Sequence, residues 1–191
     1  MKEDILTFYP KTKQEWRQWL IDHHQSEEAV WLLSYKKKTG KPCVAWSDVV
    51  DEALCFGWID GMRKSVDEES FVQFVCKRKP KSGWSKINKE KIERLIADGL
   101  MTEDGFKSIE VAKQNGSWKL LDEVEELTVP QELAKAFEAN PKADAFFNTL
   151  SKSVKKMMLH WVVSAKRPET KLNRVTEIVE NALEGKKPPR F

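Results

Sequence analysis

Cysteine is scarce in this chain of 191 residues, which contains only Cys43, Cys55 and Cys76. The set is odd in number, and no two of the three have CxxC spacing. Exported proteins that depend on disulfides usually have an even number of cysteines at framework spacings. The cysteine content therefore argues against a disulfide framework and predicts a reducing, cytoplasmic location.

Long apolar runs are also missing. No apolar stretch approaches the roughly 18 residues that identify a membrane-spanning helix. The N-terminus is charged within its first three residues and has no apolar core of signal-peptide length. The sequence therefore predicts neither membrane insertion nor export.

Histidine is nearly as rare, with only His23, His24 and His160, and their spacing does not match a metal-ligand set. His23 lies on the apolar face of a predicted helix, and His160 follows an apolar run, so structural roles are favoured. No complete catalytic triad or nucleotide-binding fingerprint can be assembled from the sequence. We therefore expect no metal and no cofactor.

Positive charge is present, and it is concentrated in one segment. The formal net charge is only +3, but residues 77–91 contain seven Lys and Arg against one Glu, a local net charge of +6. Bulk binding of nucleic acid more often requires a domain-wide excess of positive charge. A local patch suits an acidic partner, a phosphate group, or a sheet edge kept soluble by lysines. Residues 77–88, KRKPKSGWSKIN, are called the basic loop below.

The hydrophobic pattern predicts an α+β fold. Apolar residues at spacings of three and four predict a helix over 13–24, and the apolar run at 29–35 predicts a buried strand. Ser47 is expected to cap the next helix. Residues 61–67 and 71–76 flank a turn and predict a hairpin. About three strands should thus form a small antiparallel sheet packed with helices.

The C-terminal part of the chain is predicted to be entirely helical. Four segments with helical periodicity follow Pro130, which suits the first position of a helix. We therefore predict an α+β domain at 1–127, a helical subdomain at 128–185 and a tail at 186–191.

The basic loop is the first candidate site. Ser85 is expected to cap the helix that follows, and the free N–H groups at a helix N-terminus attract anions. The predicted ligand-binding side chains of this loop are Arg78, Ser82, Trp84, Ser85, Lys86 and Asn88. The alternative is structural: the serines cap, Trp84 packs and the lysines are solvated.

The turn with the sequence ALCFGWIDG is the second candidate. Trp58 is expected to give a ligand apolar contact, and Asp60 is a candidate base or a partner for Arg78 or Arg63. The alternative for Asp60 is a turn-capping role. Cys55 lies near a helix C-terminus, whose dipole disfavours the thiolate, so packing is favoured over nucleophilic catalysis.

A secondary basic site is predicted where two C-terminal helices meet, at Lys166, Arg167 and Arg174. Cations near a helix C-terminus interact favourably with its dipole, which is a sufficient structural explanation. The alternative is that a phosphate or an acidic ligand binds here and bridges Arg167 or Arg174 to the basic loop.

Several motifs resemble the YdeI/OmpD-associated family, often labelled a bacteriocin-protection family. The resemblance extends from about Trp16 to Leu183, and its most specific motifs are ALCFGWIDG and the WSxxN pattern at residues 84–88. Further motifs are VWLLSYKKKTGKP, IERLIADGLMTEDG, AKQNGSW and AKRPET. The family names imply antimicrobial resistance or association with an outer-membrane porin, and the family has no established reaction or catalytic set.

Three functions compete at this point. The first is a module that binds an anionic small molecule at the basic loop. The second is an enzyme in which Asp60 or Cys55 acts on a phosphorylated or acidic substrate. The third is a nucleic-acid-binding protein that uses the lysine run and exposed tryptophans. We rank them in that order.

Overall fold

The computed structural model describes residues 5–191. Residues 1–4, whose charge entered the argument against export, lie outside the described residues. The chain divides into two compact units, one ending at Trp118 and the other beginning at Lys119. About 52% of the chain is helical and 13% is strand, which confirms the predicted α+β class. The domain limits suggested by the sequence at 127 and 185 stay a prediction.

A four-stranded mixed sheet forms the base of the first unit. Its strands in chain order are β1 (Thr7–Phe8), β2 (Ala29–Tyr35), β3 (Trp58–Ser65) and β4 (Ser70–Lys77). Their spatial order is β1-β2-β4-β3, with β2 and β3 antiparallel to β4 and β1 parallel to β2. The predicted hairpin and first strand are present. The additional strand, β1, has two residues and is too short to leave a period-two pattern in the sequence.

Four α-helices and one 3-10 turn complete the first unit within the described residues. They are α1 (Lys13–His23), the 3-10 turn (Lys37–Thr39), α2 (Trp46–Cys55), α3 (Lys86–Ala97) and α4 (Glu103–Gln114). Alternate residues of β2 are buried, and Val30 and Leu32 join Trp16 and Leu20 of α1 in the core. One face of the sheet is therefore packed against helices.

The N-terminus of α2 differs from the prediction. Its N-cap residue is Ala45, which has no side-chain acceptor, whereas Ser47 lies in the first turn of the helix. The Ser47 hydroxyl instead accepts a hydrogen bond from Lys91 Nζ at 2.9 Å. The prediction was wrong because the helix begins before Ser47, whose hydroxyl is hydrogen-bonded to Lys91 of α3.

The second unit is helical, as predicted. Its helices are α5 (Asp122–Glu125), α6 (Gln131–Glu138), α7 (Pro141–Thr149), α8 (Lys152–Val163) and α9 (Pro168–Leu183). Pro130 is the N-cap of α6 and not its first residue. Leu133, Phe147 and Leu159 belong to the core of this unit. No helix among the described residues has the length and apolar character needed to cross a membrane.

Candidate functional site

The basic loop folds back over one of its own arginines. The backbone N–H of Arg78 donates to Gly57 O at 3.0 Å, and Arg78 Nη2 donates to Gly83 O at 2.6 Å. The guanidinium carbon lies 3.6 Å from the centroid of the Trp84 ring. Trp84 itself is only 1% exposed. Arg78 therefore points into the fold and is not available as a freely solvated charge.

The polar side chains of the loop make local hydrogen bonds. Ser85 Oγ accepts from Asn88 N at 3.3 Å and caps α3, while Ser82 Oγ donates to Lys79 O at 2.8 Å. Lys86 is exposed and lies 4.0 Å from Glu90. These contacts describe a capped helix N-terminus, and a ligand-binding role for these side chains stays a prediction.

Replacing Ser85 by alanine tests the capping role. We expect the free energy of unfolding to fall by about 1 kcal/mol, the usual effect of removing an N-cap oxygen. Urea unfolding followed by circular dichroism measures the change, and Ser82→Ala, which alters only an exposed turn, is the matched control. If Ser85→Ala lowered the free energy of unfolding only in the presence of phosphate, that result would contradict capping as the role of the Ser85 hydroxyl.

Three buried N–H groups lie beside this loop without an acceptor. Trp58 Nε1, Arg78 Nε and Arg78 Nη1 have no hydrogen-bond partner among residues 5–191. Trp58 is 1% exposed, so its indole N–H is shielded from bulk solvent. Leaving a buried donor unsatisfied costs roughly 1–3 kcal/mol. These three nitrogens are therefore donors for which residues 5–191 offer no acceptor.

Trp58 and Arg78 line the same cavity, which has a volume of about 320 Å³. Its wall consists of residues from the segment after α1, the α2–β3 turn and the start of β3, the start of the basic loop, and α4: His24, Gln25, Phe56, Gly57, Trp58, Lys77, Arg78 and Asp104. Arg78 also lines a smaller cavity of about 190 Å³ together with Trp84 and Ser108. The guanidinium therefore lies between two cavities of the first unit.

The charge of Arg78 is poorly compensated. Burial lowers its pKa to about 10, although the negative charge of Asp60 and, more weakly, Cys76 favour the protonated form. Among residues 5–191 no ion pair to Arg78 is formed. An arginine stays protonated near neutral pH. The cavity wall thus contains a half-buried cation that favours a negatively charged partner.

Asp60 lies within electrostatic range of Arg78 but outside both cavity walls. Burial raises the pKa of this half-buried carboxyl, and the positive charges of Arg78 and Lys91 oppose that rise. Arg63, the other arginine considered as its partner, instead donates to Gln73. The structure therefore associates Asp60 with Arg78 and not with Arg63.

Cys55 is fully buried in the core. Burial and the neighbouring negative charge of Glu52 raise the pKa of its thiol to about 11. Because the thiolate is the nucleophilic form, this cysteine is unreactive near neutral pH. Packing, the preferred interpretation of Cys55, agrees with its environment.

The sequence argument missed a histidine and an aspartate that contact each other in the larger cavity. His24 Nε2 lies 2.9 Å from Asp104 Oδ2, and His24 Nδ1 lies 2.7 Å from Leu20 O. Each ring nitrogen thus faces an oxygen atom, and the tautomer determines which nitrogen donates. The hydrogen bond from His24 holds the pKa of Asp104 below its usual value. With both nitrogens engaged, His24 is not a free general base. The two residues are 80 positions apart in the chain, so local patterns gave no signal for the pair.

The predicted secondary basic site is only partly assembled. Lys166 and Arg167 line a cavity of about 500 Å³ in the second unit. Arg174 does not line it and donates instead to Trp161 O at 2.5 Å, near the end of α8. Lys171 and Glu132, two further residues of the cavity wall, pair at 2.6 Å. Part of the positive charge at this cavity is therefore neutralised locally.

Comparison with family models covers both units. Residues 8–108, just over half of the chain, match the model of a family described as a domain of unknown function, DUF8412. The chain belongs to this family. The matched region includes Trp58, Arg78, Trp84 and Asp104, so the larger cavity lies entirely within the DUF8412 domain.

A second family model matches residues 126–185, within the second unit. It is described as bacteriocin-protection, YdeI or OmpD-associated. The resemblance noted from the sequence is thus confirmed for these residues, which include the AKRPET motif. The earlier motifs up to residue 108 fall in the DUF8412 match instead. No curated protein and no solved structure matches the chain.

Proposed function

We propose that the first unit binds a small anionic ligand, bearing a carboxylate or phosphate group, in the cavity beside Arg78. The observation that carries the proposal is the set of three buried N–H donors on Trp58 and Arg78 that have no acceptor among the described residues. An oxyanion has enough lone pairs to accept from more than one of these donors. Charge-assisted hydrogen bonds of this kind are stronger than neutral ones.

The electrostatics of the cavity wall favour the same class of ligand. Arg78 has no ion-pair partner within the described chain, and Lys77 brings a second cation to the cavity. Lys77 Nζ already lies 2.6 Å from Glu28 Oε1. Arg78 is therefore the cation of the cavity wall whose charge no carboxylate of the described residues balances through an ion pair. The sequence pointed to an anion site at Ser85 and the N-terminus of α3. The site proposed here lies instead beside Arg78, at the start of the basic loop.

An enzymatic function has one supporting observation, the raised pKa of Asp60. A half-buried carboxyl whose pKa is raised by burial is a reasonable general base. Asp60 lies outside both cavity walls, however, so a ligand in either cavity does not contact it directly. Anion binding is therefore the function that the geometry supports best.

Binding of nucleic acid through tryptophan stacking has less support. Trp58 and Trp84 are each 1% exposed, and stacking on bases requires an accessible ring face. Lys77 and Lys91 of the basic segment already contact Glu28 and Asp51. The local charge available for phosphate contacts is thus smaller than the sequence count suggests.

Replacing Trp58 by phenylalanine tests the proposal. The change removes the indole N–H and keeps an aromatic ring in the core. We expect the affinity for inorganic phosphate or acetate to fall about tenfold, which corresponds to about 1.4 kcal/mol. Isothermal titration calorimetry at low ionic strength measures it, with acetamide as a neutral probe of similar shape to acetate.

Trp161→Phe is the matched control for this experiment. Trp161 Nε1 is also buried without a partner among the described residues, but it belongs to the second unit and lies outside the cavity. Its replacement should leave the affinity unchanged. Arg78→Lys, which keeps the charge but not the forked donors, should also weaken binding. Equal affinities for acetate and acetamide, or full affinity in Trp58→Phe, would refute the proposal.

We propose further that the protein acts in the cytoplasm. Cys43, Cys55 and Cys76 are all free thiols, which suits a reducing compartment. The description of the second family model supports a link to protection against bacteriocins or to envelope stress. A deletion strain that keeps its normal sensitivity to bacteriocins would argue against that link.

A further inference from the structure

We propose that the first unit has a second, independent ligand site that binds a small amphipathic acid, an apolar body with one carboxylate head. The site is a cavity of about 520 Å³ between the sheet and the segment that joins β2 to α2. Sites for drug-sized molecules commonly have volumes of about 300–1,000 Å³. This cavity shares no residue with the one beside Arg78.

The floor of the cavity continues the helix-covered face of the sheet. Leu32 and Gln73 form a cross-strand pair, as do Ser34 and Phe71, and all four side chains line the cavity. Trp46 and Val49 of α2 form the opposite wall. Leu32, Val49, Phe71 and the exposed Trp46 together provide an apolar surface that suits a hydrocarbon or aromatic body.

All charged side chains in the cavity wall are basic: Lys36, Lys37, Lys41 and Arg63. Lys41 is paired with Glu69 at 2.9 Å, whereas Arg63 has no carboxylate partner within residues 5–191. Arg63 donates through Nε to Gln73 Oε1 at 3.4 Å, and its guanidinium lies 4.0 Å from the centroid of Phe71. Its two terminal nitrogens thus form a free fork above an aromatic ring, a geometry that matches a carboxylate.

Two further polar features face the same space. Ser34, a polar residue that is only 7% exposed, lines the cavity. Ala45 and Trp46 begin α2 at the cavity wall, and Ala45 has no side chain that can cap the helix. The first-turn N–H groups and the helix dipole therefore favour negative charge there. The Arg63 guanidinium lies 5.9 Å from the centroid of the Trp46 ring, so an acid head beside Arg63 would lie near the start of α2.

The probe for this site is 1-naphthoate, compared with 1-naphthalenemethanol, which has the same ring system and no charge. We expect saturable binding of 1-naphthoate by calorimetry, at least tenfold tighter than binding of the alcohol. Arg63→Gln should lower the affinity for 1-naphthoate about tenfold. Lys64→Gln is the matched control, because Lys64 is the next residue of β3 and lies 4.7 Å from Trp31, which does not line the cavity.

The reactivity of the Cys43 thiol provides a second test, which requires no substitution in the cavity wall. Its half-buried thiol lines the cavity, whereas Cys55 is fully buried. In a Cys76→Ser background, saturating 1-naphthoate should slow the reaction of Cys43 with a maleimide by at least threefold. Unchanged labelling, or equal affinity for the acid and the alcohol, would overturn the inference. Loss of 1-naphthoate binding in Trp58→Phe with full binding in Arg63→Gln would overturn it too, because the probe would then occupy the cavity beside Arg78.

Discussion

Replacing Gly105 by alanine is expected to destabilise the first unit by about 3 kcal/mol, the upper part of the range for overpacking. Gly105 is buried in the first turn of α4, where that helix crosses the end of α2. An added Cβ would lie 2.8 Å from Met101 Cε and 2.9 Å from the carbonyl carbon of Cys55, and closer still to Cys55 O. Real Cβ atoms essentially never approach other atoms within 3.0 Å, so the two helices must separate.

Helix propensity alone predicts the opposite sign for this substitution. Alanine is about 1 kcal/mol more favourable than glycine inside a helix. Close packing outweighs that gain because backbone atoms of α2 cannot move aside: Cys55 O accepts from both Thr102 N, at 3.1 Å, and Thr102 Oγ1, at 2.6 Å. A loss of stability in Gly105→Ala would therefore indicate that close packing of α4 against α2 outweighs helix propensity. A gain would indicate that helix propensity dominates.

Urea unfolding followed by tryptophan fluorescence is the suitable measurement, because seven of the eight tryptophans precede Lys119 and report on the first unit. Gly116→Ala is the control. Gly116, unlike the helical Gly105, has a positive φ, +80°, and an added Cβ there meets no atom within 4 Å. That variant should lose only about 1–2 kcal/mol, from the left-handed backbone. An alanine at position 105 that stabilises the unit would show that the helix crossing is looser than described.

Local patterns in the sequence account for most of the fold. The apolar run at Ala29–Tyr35 and the cap at Ser85 each depend on residues close together in the chain, and each appears where it was predicted. The errors occur where distant contacts outweigh local preference. Ser47 has good N-cap chemistry, but Lys91 of α3 holds its hydroxyl. β1 forms because this segment pairs with β2, beginning with the hydrogen bond from Trp31 N to Leu6 O. The sequence around Leu6 and around Trp31 does not indicate this long-range contact.

The candidate site was less predictable than the fold. The sequence drew attention to Arg78 through charge density, but charge density does not reveal that the guanidinium is buried against Trp84. The unpaired indole N–H of Trp58 and the contact of His24 with Asp104 depend on how elements pack. One available signal lay in α2, where Asp51 and Glu52 stand between the apolar pairs Val49–Val50 and Ala53–Leu54. Acidic residues at such positions are seldom fully buried unless they are paired.

Asp51 and Glu52 connect α2 to two different neighbours. Glu52 is 1% exposed and accepts from Arg17 of α1 at 2.6 Å. Asp51 is 2% exposed and pairs with Lys91 at 2.5 Å and with Arg94, both from α3. The helix that ends at the Trp58 turn is thus fixed to α1 on one side and α3 on the other. These ion pairs position the turn on which the proposed anion site depends.

Replacing Asp51 by asparagine is therefore expected to lower the free energy of unfolding at pH 7 by about 3 kcal/mol, the usual scale for breaking a buried ion pair. The substitution keeps the shape of the side chain and leaves Lys91, whose side chain is 19% exposed, without its counter-charge. Glu90→Gln is the control, because Glu90 is exposed and lies 4.0 Å from Lys86. Removing such a surface pair should cost less than about 0.5 kcal/mol.

The pH dependence of stability shows whether Asp51 acts through its negative charge or through the packing of its side chain. Burial alone would raise the pKa of this carboxyl, but hydrogen bonds from Lys91 and Arg94 outweigh burial and hold the pKa below the usual 3.8. A carboxyl with a lowered pKa in the folded state stabilises the protein fully above about pH 4, and this contribution is lost as the pH falls through the lowered value. The stability difference between the wild type and Asp51→Asn should therefore be constant from pH 7 to about 5 and should narrow below pH 4. A difference that stays the same down to pH 3 would mean that the ion pairs are not what Asp51 contributes, and that packing of the side chain carries its effect.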